Sequence, residues 1–233
     1  MSADLLANPL REGLPREKAV SPCVCVIFGG TGDLAHKKLL PALYRLYLSR
    51  LLPRSFAIVA YASADLTDER YREQVCNSMR EARPPLPVEG NRWDGFSGLL
   101  HYVRRTGQQT ESMRALKSRL DHVNVLAGAH GNYLFYFAMP PVAFAETAHG
   151  LAGVGLAHDE PGSGWRRLVT EKPFGTDLAS ARELNHKLQS IFREEQIYRI
   201  DHYLAKEMLQ GILDFRFHND LLESTWDRDG IER

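Results

Sequence analysis

The chain has 233 residues, 44% of them apolar and 25% charged, which is the composition of an ordinary globular protein. Its 29 basic and 29 acidic residues balance, which argues against a protein that coats nucleic acid or a membrane surface. Three cysteines are too few for a disulfide framework, include no zinc-binding set and are typical of a reducing cytosol.

The N-terminal residues 1–21 are predicted to form a loose leader, because they contain Pro9, Gly13 and Pro15 and no apolar stretch. For the same reason we expect no signal peptide. No apolar run in the chain reaches the roughly 18 residues that cross a bilayer. The sequence therefore predicts a cytoplasmic protein with no membrane partner, no nucleic-acid partner and no metal site.

Six apolar segments predict strands, at residues 23–28, 56–61, 99–103, 132–139, 167–170 and 196–200. Helical patterns predict helices at residues 33–50, 67–83, 110–122, 142–152, 177–193 and 203–213. Pro41 is expected to bend the first helix, and residues 84–96 are predicted to be a loop. Alternation of strand and helix at this spacing predicts an α/β fold, a doubly wound and mostly parallel Rossmann-like sheet over residues 22–201.

The first strand ends in the turn Gly29-Gly30-Thr31-Gly32. Glycines at such a turn permit tight backbone geometry and the close approach of a pyrophosphate, which the N-terminal end of the following helix attracts. The spacing is not the full Gly-x-Gly-x-x-Gly, so a plain strand-to-helix turn is the alternative. The position between a buried first strand and a helix favours dinucleotide binding.

Three segments in the same order resemble signatures of the glucose-6-phosphate dehydrogenase family. They are Gly29-Gly30-Thr31-Gly32-Asp33-Leu34-Ala35, then Glu171-Lys172-Pro173-Phe174-Gly175, then Arg199-Ile200-Asp201-His202-Tyr203-Leu204-Ala205-Lys206-Glu207-Met208. Ala205 departs from the family, which usually has glycine there. The resemblance covers residues 22–231 and implies homo-oligomeric enzymes that oxidise glucose 6-phosphate with NADP at the entry of the pentose phosphate pathway.

The resemblance also implies roles for individual residues. It implies cofactor contacts for Gly29, Gly30, Thr31, Gly32, Asp33, Leu34, Lys38, Ser63, Phe144 and Lys172. It implies substrate contacts for Lys172, His202, Tyr203 and Lys206. It also implies catalytic roles for Lys172 and for Asp201, the latter as the partner of a catalytic histidine. His202 and Lys206 are four residues apart at a predicted helix start, so both cationic side chains share one face and suit a phosphate, although ordinary surface charges are the alternative.

The end of the chain departs from the family pattern. The family's catalytic histidine belongs to a second, α+β domain, and the match stops at residues 226–231, where that domain begins. We therefore expect a C-terminally truncated chain in which residues 202–233 hold only the substrate-site helix and the start of that domain. None of the nine histidines matches the context of the catalytic one, so we expect no turnover by this chain alone. The alternative function is a non-catalytic dinucleotide-binding module.

A second departure concerns the choice of cofactor. Ser63 stands where the family has an arginine that grips the 2′-phosphate of NADP, and Asp65 follows two residues later. Serine cannot neutralise a dianionic phosphate, and a nearby aspartate favours a free ribose hydroxyl instead. This predicts a weakened preference for NADP and tolerance of NAD, unless Lys38, Arg70 or Arg72 replaces the lost cation.

Overall fold

A computed structural model describes residues 21–159, 162, 164–201, 211, 215, 218 and 219 of the protein. Residues 1–20 of the predicted leader lie outside these ranges. So do nearly all of the predicted helix 203–213 and most of the segment 202–233. The predictions for these segments, and the domain limits that follow from them, stay predictions.

Six parallel strands form one sheet: β1 Cys23–Phe28, β2 Phe56–Ala62, β3 Leu100–Arg104, β4 Tyr133–Phe137, β5 Arg166–Glu171 and β6 Ile197–Ile200. Their order is β3-β2-β1-β4-β5-β6. Central β1 pairs on both sides, with Val26 aligned to Val59 of β2 and to Phe135 of β4. The doubly wound Rossmann-like sheet is confirmed, and the chain reverses its direction of strand addition between β1 and β4, where such sheets bind ligands.

The helices are α1 Leu40–Leu48, α2 Asp68–Glu81, α3 Asn91–Ser97, α4 Gln109–Ala127, α5 Phe144–Gly153 and α6 Leu178–Gln189. A π-helical turn, Ala35–Leu39, precedes α1, and 3₁₀ turns occupy Pro141–Ala143 and Glu194–Gln196. A bend is predicted at Pro41, and the structure has a π-helical turn directly before it, because proline cannot donate the backbone hydrogen bond of a regular helix. No helix in the described part of the chain is long and apolar enough to cross a membrane.

The prediction of a loop over residues 84–96 is wrong at its end, because α3 begins at Asn91. This helix has seven residues, includes Gly95 and buries Phe96 alone, so it carries too little periodicity to be recognised among prolines and glycines. In contrast, α4 continues five residues past the predicted end at His122, until Gly128 stops it with a left-handed backbone at φ 62°.

The core consists of two apolar layers, one on each face of the sheet. One layer is packed beneath α4, α5 and α6 and includes Val26, Phe135 and Leu116. The other is packed beneath α1, α2 and α3 and includes Cys25, Ile27 and Tyr44. Since every residue of β1 is buried, its sequence is apolar without alternation.

The cysteines of β1 belong to this core. Cys23 and Cys25 are both buried and lie on the face toward α1. Burial raises the pKa of Cys23 to about 11, so its thiol stays protonated and unreactive at neutral pH. This confirms their interpretation as small buried apolar residues rather than ligands.

Phe135 provides a test of this packing, because its side chain is 0% exposed at the middle of β4. We expect Phe135→Ala to lower the free energy of unfolding by about 3–5 kcal/mol, through lost burial and the cavity that remains. Val125→Ala, at a side chain on α4 that is 78% exposed, should change it by less than about 0.5 kcal/mol. Urea denaturation measures both, and equal losses would contradict the described core.

Candidate functional site

The glycine turn after β1 packs tightly against β2 and against the residue that follows β4. Gly29 has a φ of 83°, and a Cβ atom there would lie 2.4 Å from the carbonyl oxygen of Ala138. A Cβ on Gly30 would lie 2.5 Å from the Cβ of Ala60. Real Cβ atoms do not approach other atoms this closely, so both positions require glycine. The backbone amide of Gly29 donates to the carbonyl of Tyr61 at 2.9 Å and fastens the turn to β2.

The turn leads directly into helical structure. The amide of Gly32 donates to the carbonyl of Gly29 at 2.9 Å and closes the turn. The amide of His36 then donates to the carbonyl of Gly32 at 3.0 Å, which starts the helical hydrogen bonding. Amides in a first helical turn lack partners within their own helix and attract anions. The turn therefore has the local geometry of a phosphate cradle.

A cleft of about 350 Å³ opens above this turn, at the carboxyl ends of β1, β2 and β4. We call it the switch-point cleft. Its lining consists of residues 28, 29, 31, 32, 61–63, 105–107, 109, 113, 138–140, 143, 146 and 147. The turn forms one wall, the loop after β3 forms another, and the start of α5 forms a third. Such a position at the reversal of strand order suits a dinucleotide.

The structure brings four of the predicted cofactor residues to the switch-point cleft: Gly29, Thr31, Gly32 and Ser63. The other predicted residues of the turn and first helix have different surroundings. Gly30 is buried against β2, and Leu34 packs on the core toward α1. The Asp33 carboxylate accepts a hydrogen bond from Lys37 at 2.8 Å, and Lys38 is exposed on the π-helical turn.

Phe144 lies below the switch-point cleft rather than in its lining. Its side chain is 1% exposed, and its ring centroid is 5.3 Å from that of Phe137. The observed geometry therefore gives Phe144 a packing role at the start of α5 and does not support a direct contact with a cofactor.

A second group of polar side chains lies at the carboxyl ends of β4, β5 and β6. Lys172 directly follows β5 and forms an ion pair with Asp201, which directly follows β6. Beside them the Tyr136 hydroxyl donates to the Glu171 carboxylate, and burial raises the pKa of that tyrosine. The structure thus brings together the predicted Lys172 and Asp201. The predicted substrate residues lie outside the described residues, namely His202, Tyr203 and Lys206.

Several residues of the switch-point cleft were missed by sequence reasoning. Arg105, Thr106, Gly107 and Gln109 come from the loop after β3 and the start of α4, and Glu146 from α5. The backbone amide of Arg105 donates to the carbonyl of Ala62 at 2.6 Å, which holds this loop against the end of β2. The one available signal was Gly107 after a predicted strand, which is too common to indicate a site.

Charges near the end of β2 have defined partners. Asp65 pairs with Arg104 at 2.9 Å, and Arg70 pairs with Glu73 at 2.9 Å. The Arg72 guanidinium donates twice to the backbone carbonyl of Leu100, at 3.1 and 3.0 Å. Two of the three cations considered as replacements for the family arginine are therefore engaged elsewhere.

The pKa of Tyr61, a residue that lines the cleft, is affected by burial and by nearby groups. Its hydroxyl shares a 2.5 Å hydrogen bond with Ser112. Burial raises the pKa of the Tyr61 phenol, while the bond with Ser112 and the positive charge of Arg105 partly oppose that rise. Arg105 therefore acts on the interior of the cleft although its side chain is exposed.

Comparison with known proteins gives a consistent set of relatives. The family model "Glucose-6-phosphate dehydrogenase, NAD binding domain" matches residues 26–211. "Glucose-6-phosphate 1-dehydrogenase 2" of Mycobacterium tuberculosis is 41% identical over 229 residues, which cover 97% of this chain and 44% of that protein. "Glucose-6-phosphate 1-dehydrogenase" of Chlamydia muridarum is 37% identical over 225 residues, or 96% of this chain and 44% of that protein. The chain thus spans less than half the length of these relatives.

Solved structures agree. A glucose-6-phosphate dehydrogenase in complex with its substrate glucose 6-phosphate superposes with a TM-score of 0.75 and 33% identity, covering 92% of this chain and 43% of that one. The glucose-6-phosphate 1-dehydrogenase of Mycobacterium avium superposes with a TM-score of 0.72 and 33% identity, covering 90% of this chain and 43% of that one.

Gly29 tests the close packing at the turn, and Gly155 is its matched control. Both have positive φ, 83° and 73°, but a Cβ on Gly155 meets nothing within 4 Å. We expect Gly155→Ala to cost about 1–2 kcal/mol from backbone conformation alone. Gly29→Ala should cost clearly more, because its Cβ also collides with Ala138. Thermal unfolding measures the difference, and equal shifts of the two melting temperatures would refute the collision.

Proposed function

Because the chain belongs to the glucose-6-phosphate dehydrogenase family, we propose that its switch-point cleft binds NADP for the oxidation of glucose 6-phosphate at C1. The family domain matched by the chain is a nicotinamide-dinucleotide domain. The observation that carries the proposal is the glycine turn, with its tight packing and anion-attracting amides, at the mouth of that cleft. A turn that served only to connect a strand and a helix would not need an open cleft above it.

The residues of the cleft fit such a cofactor. Gly29 and Gly32 allow a pyrophosphate to approach the backbone, and Thr31 offers a hydroxyl and an amide beside them. Ser63, at the end of β2, suits the adenosine ribose, because the carboxyl end of the second strand is where that sugar binds in such folds. When bound, the dinucleotide supplies a hydride acceptor. Asp33, Leu34, Lys38 and Phe144 keep their proposed roles from the family resemblance alone.

Lys172 and Asp201 are proposed as the residues on the substrate side. Their ion pair places a cation and a carboxylate at the same edge of the sheet as the glycine turn. Oxidation at C1 removes a hydroxyl proton as the hydride leaves carbon, so a base must be held in position. By family resemblance, Asp201 orients the histidine that is this base, and Lys172 contacts both substrate and cofactor. His202, Tyr203 and Lys206 are proposed to bind the sugar phosphate.

For the polypeptide of 233 residues taken by itself, the alternative function is dinucleotide binding without turnover. Its own sequence offers no histidine in the context of the family's base. We propose that it binds cofactor and does not oxidise the sugar alone. The proposed setting of the activity is cytoplasmic, in a homo-oligomer as in the family.

Turnover and binding separate these possibilities. In isothermal titration calorimetry we expect the purified chain to bind a nicotinamide dinucleotide. In a reduced-cofactor absorbance assay with glucose 6-phosphate we expect no rate above a blank without protein. A folded chain that binds neither NADP nor NAD would refute the proposed function. Measurable turnover would refute the non-catalytic alternative and turn attention to another base near Asp201.

The role of Lys172 is tested by sugar binding. We expect Lys172→Ala to weaken the binding of glucose 6-phosphate about tenfold or more, since a charge-assisted hydrogen bond is lost. Lys187→Ala is the matched control, because Lys187 forms an exposed ion pair with Glu183 on α6, at 2.6 Å. Saturation-transfer NMR in the presence of cofactor gives both affinities. Equal affinities of the two variants for glucose 6-phosphate would show that Lys172 does not bind the substrate.

A further inference from the structure

The end of β2 lacks the cation that an NADP site requires. Ser63 lines the switch-point cleft there and carries no charge. Asp65 is two residues away, but Arg104 already neutralises it at 2.9 Å. The negative charge of Asp65 therefore repels a phosphate less than the sequence alone indicates. An NADP site at this position still needs a positively charged group that faces the cleft.

Arg105 is placed to be that group. Among the described residues that line the cleft, Arg105 is the one cation, and Glu146 on α5 is the one anion. In the described part of the chain no hydrogen bond or ion pair engages the Arg105 guanidinium. Its side chain is exposed and remains available to a ligand.

The register of the sheet explains why Arg105 and Ser63 face the same way. The last aligned pair of β2 and β3 is Ala62 with Arg104, so Ser63 and Arg105 follow as the next opposed positions. Side chains alternate between the two faces of a strand. Tyr61 and Val103, two residues earlier, pack in the layer beneath α4, on the side of the cleft. Ala62 belongs to the opposite layer, which is the side where Arg104 meets Asp65.

Other nearby cations do not serve as well. Arg70 and Arg72 are held by Glu73 and by the carbonyl of Leu100. Lys38 is exposed on the π-helical turn and is not part of the cleft lining.

We propose that Arg105, at the end of β3, binds the 2′-phosphate of NADP together with Ser63, and so supplies from β3 the charge that β2 lacks. This inference rests on the proposed function. Ser63 donates its hydroxyl to a phosphate oxygen, and the guanidinium donates to the same group from the neighbouring strand. A planar guanidinium suits a phosphate because it offers several donors in a fixed geometry. The preference for NADP over NAD is then restored despite the serine.

The test compares the affinities of the two dinucleotides. Dissociation constants for NADP and NAD are measured by calorimetry on the whole chain, on Arg105→Ala and on Arg104→Ala. We expect Arg105→Ala to weaken NADP binding about tenfold or more, since charge-assisted hydrogen bonds are lost, and to leave NAD binding within about twofold. Arg104→Ala tests the neighbouring arginine on the opposite face of β3. It leaves Arg105 in place but removes the ion-pair partner of Asp65, so we expect it to weaken NADP binding less than Arg105→Ala does and to keep NADP the tighter ligand.

A second variant distinguishes loss of the Arg105 charge from a structural disturbance of the loop after β3. Adding Ser63→Arg to Arg105→Ala should restore tight NADP binding, because the charge returns to the same end of the sheet. Equal weakening of both dinucleotides in Arg105→Ala would assign the arginine to the shared adenosine and overturn the inference, as would no weakening of either. In both cases the unchanged chain still binds NADP, so the proposed function survives. A chain that binds neither dinucleotide refutes both.

Discussion

There is no space for a side chain where the central strand ends, and the site depends on this constraint. A Cβ atom on Gly29 would collide with the backbone of Ala138, and a Cβ atom on Gly30 would collide with the side chain of Ala60. Because the strands approach so closely, the turn must bend sharply and lead straight into helical structure. The same bend places the start of the first helix at the point where the order of strands reverses. The cleft is thus a consequence of how β1 packs between β2 and β4.

Because the strands are parallel, the candidate functional residues lie along one edge of the sheet, at the carboxyl ends of the strands. Every carboxyl end of the sheet lies on the same side, so loops that are distant in sequence meet there. The glycine turn after β1, Ser63 after β2 and Arg105 after β3 converge on one cleft. Lys172 after β5 and Asp201 after β6 form the second group along that edge. The cofactor role that we propose for the first group and the substrate role that we propose for the second would thus occupy two stretches of one edge.

Sequence patterns predicted the strands well because a sheet buried on both faces leaves continuous apolar runs, as in Cys23–Phe28. They missed α3, whose single buried residue, Phe96, gives no periodic signal. The glycine turn was found because its glycines stand together in the sequence, between an apolar strand and a helical pattern. Arg105 was not found, because its position beside Ser63 arises from the pairing of β3 with β2, which no short motif records. Phe144 stays a prediction from the family pattern, and in this structure its side chain lies buried in the core.

A nicotinamide dinucleotide is proposed to occupy the switch-point cleft. Amide chemical shifts of the isotopically labelled chain, followed during titration with NADP, test it most directly. We predict that the amides of Thr31, Gly32, Ser63 and Gly107 shift together in a saturable manner. The chemical shift of the Gly131 amide, before β4 at the opposite end of the sheet, should not change. Saturable shifts confined to that opposite end, or no shifts at all from a folded chain, would contradict the account.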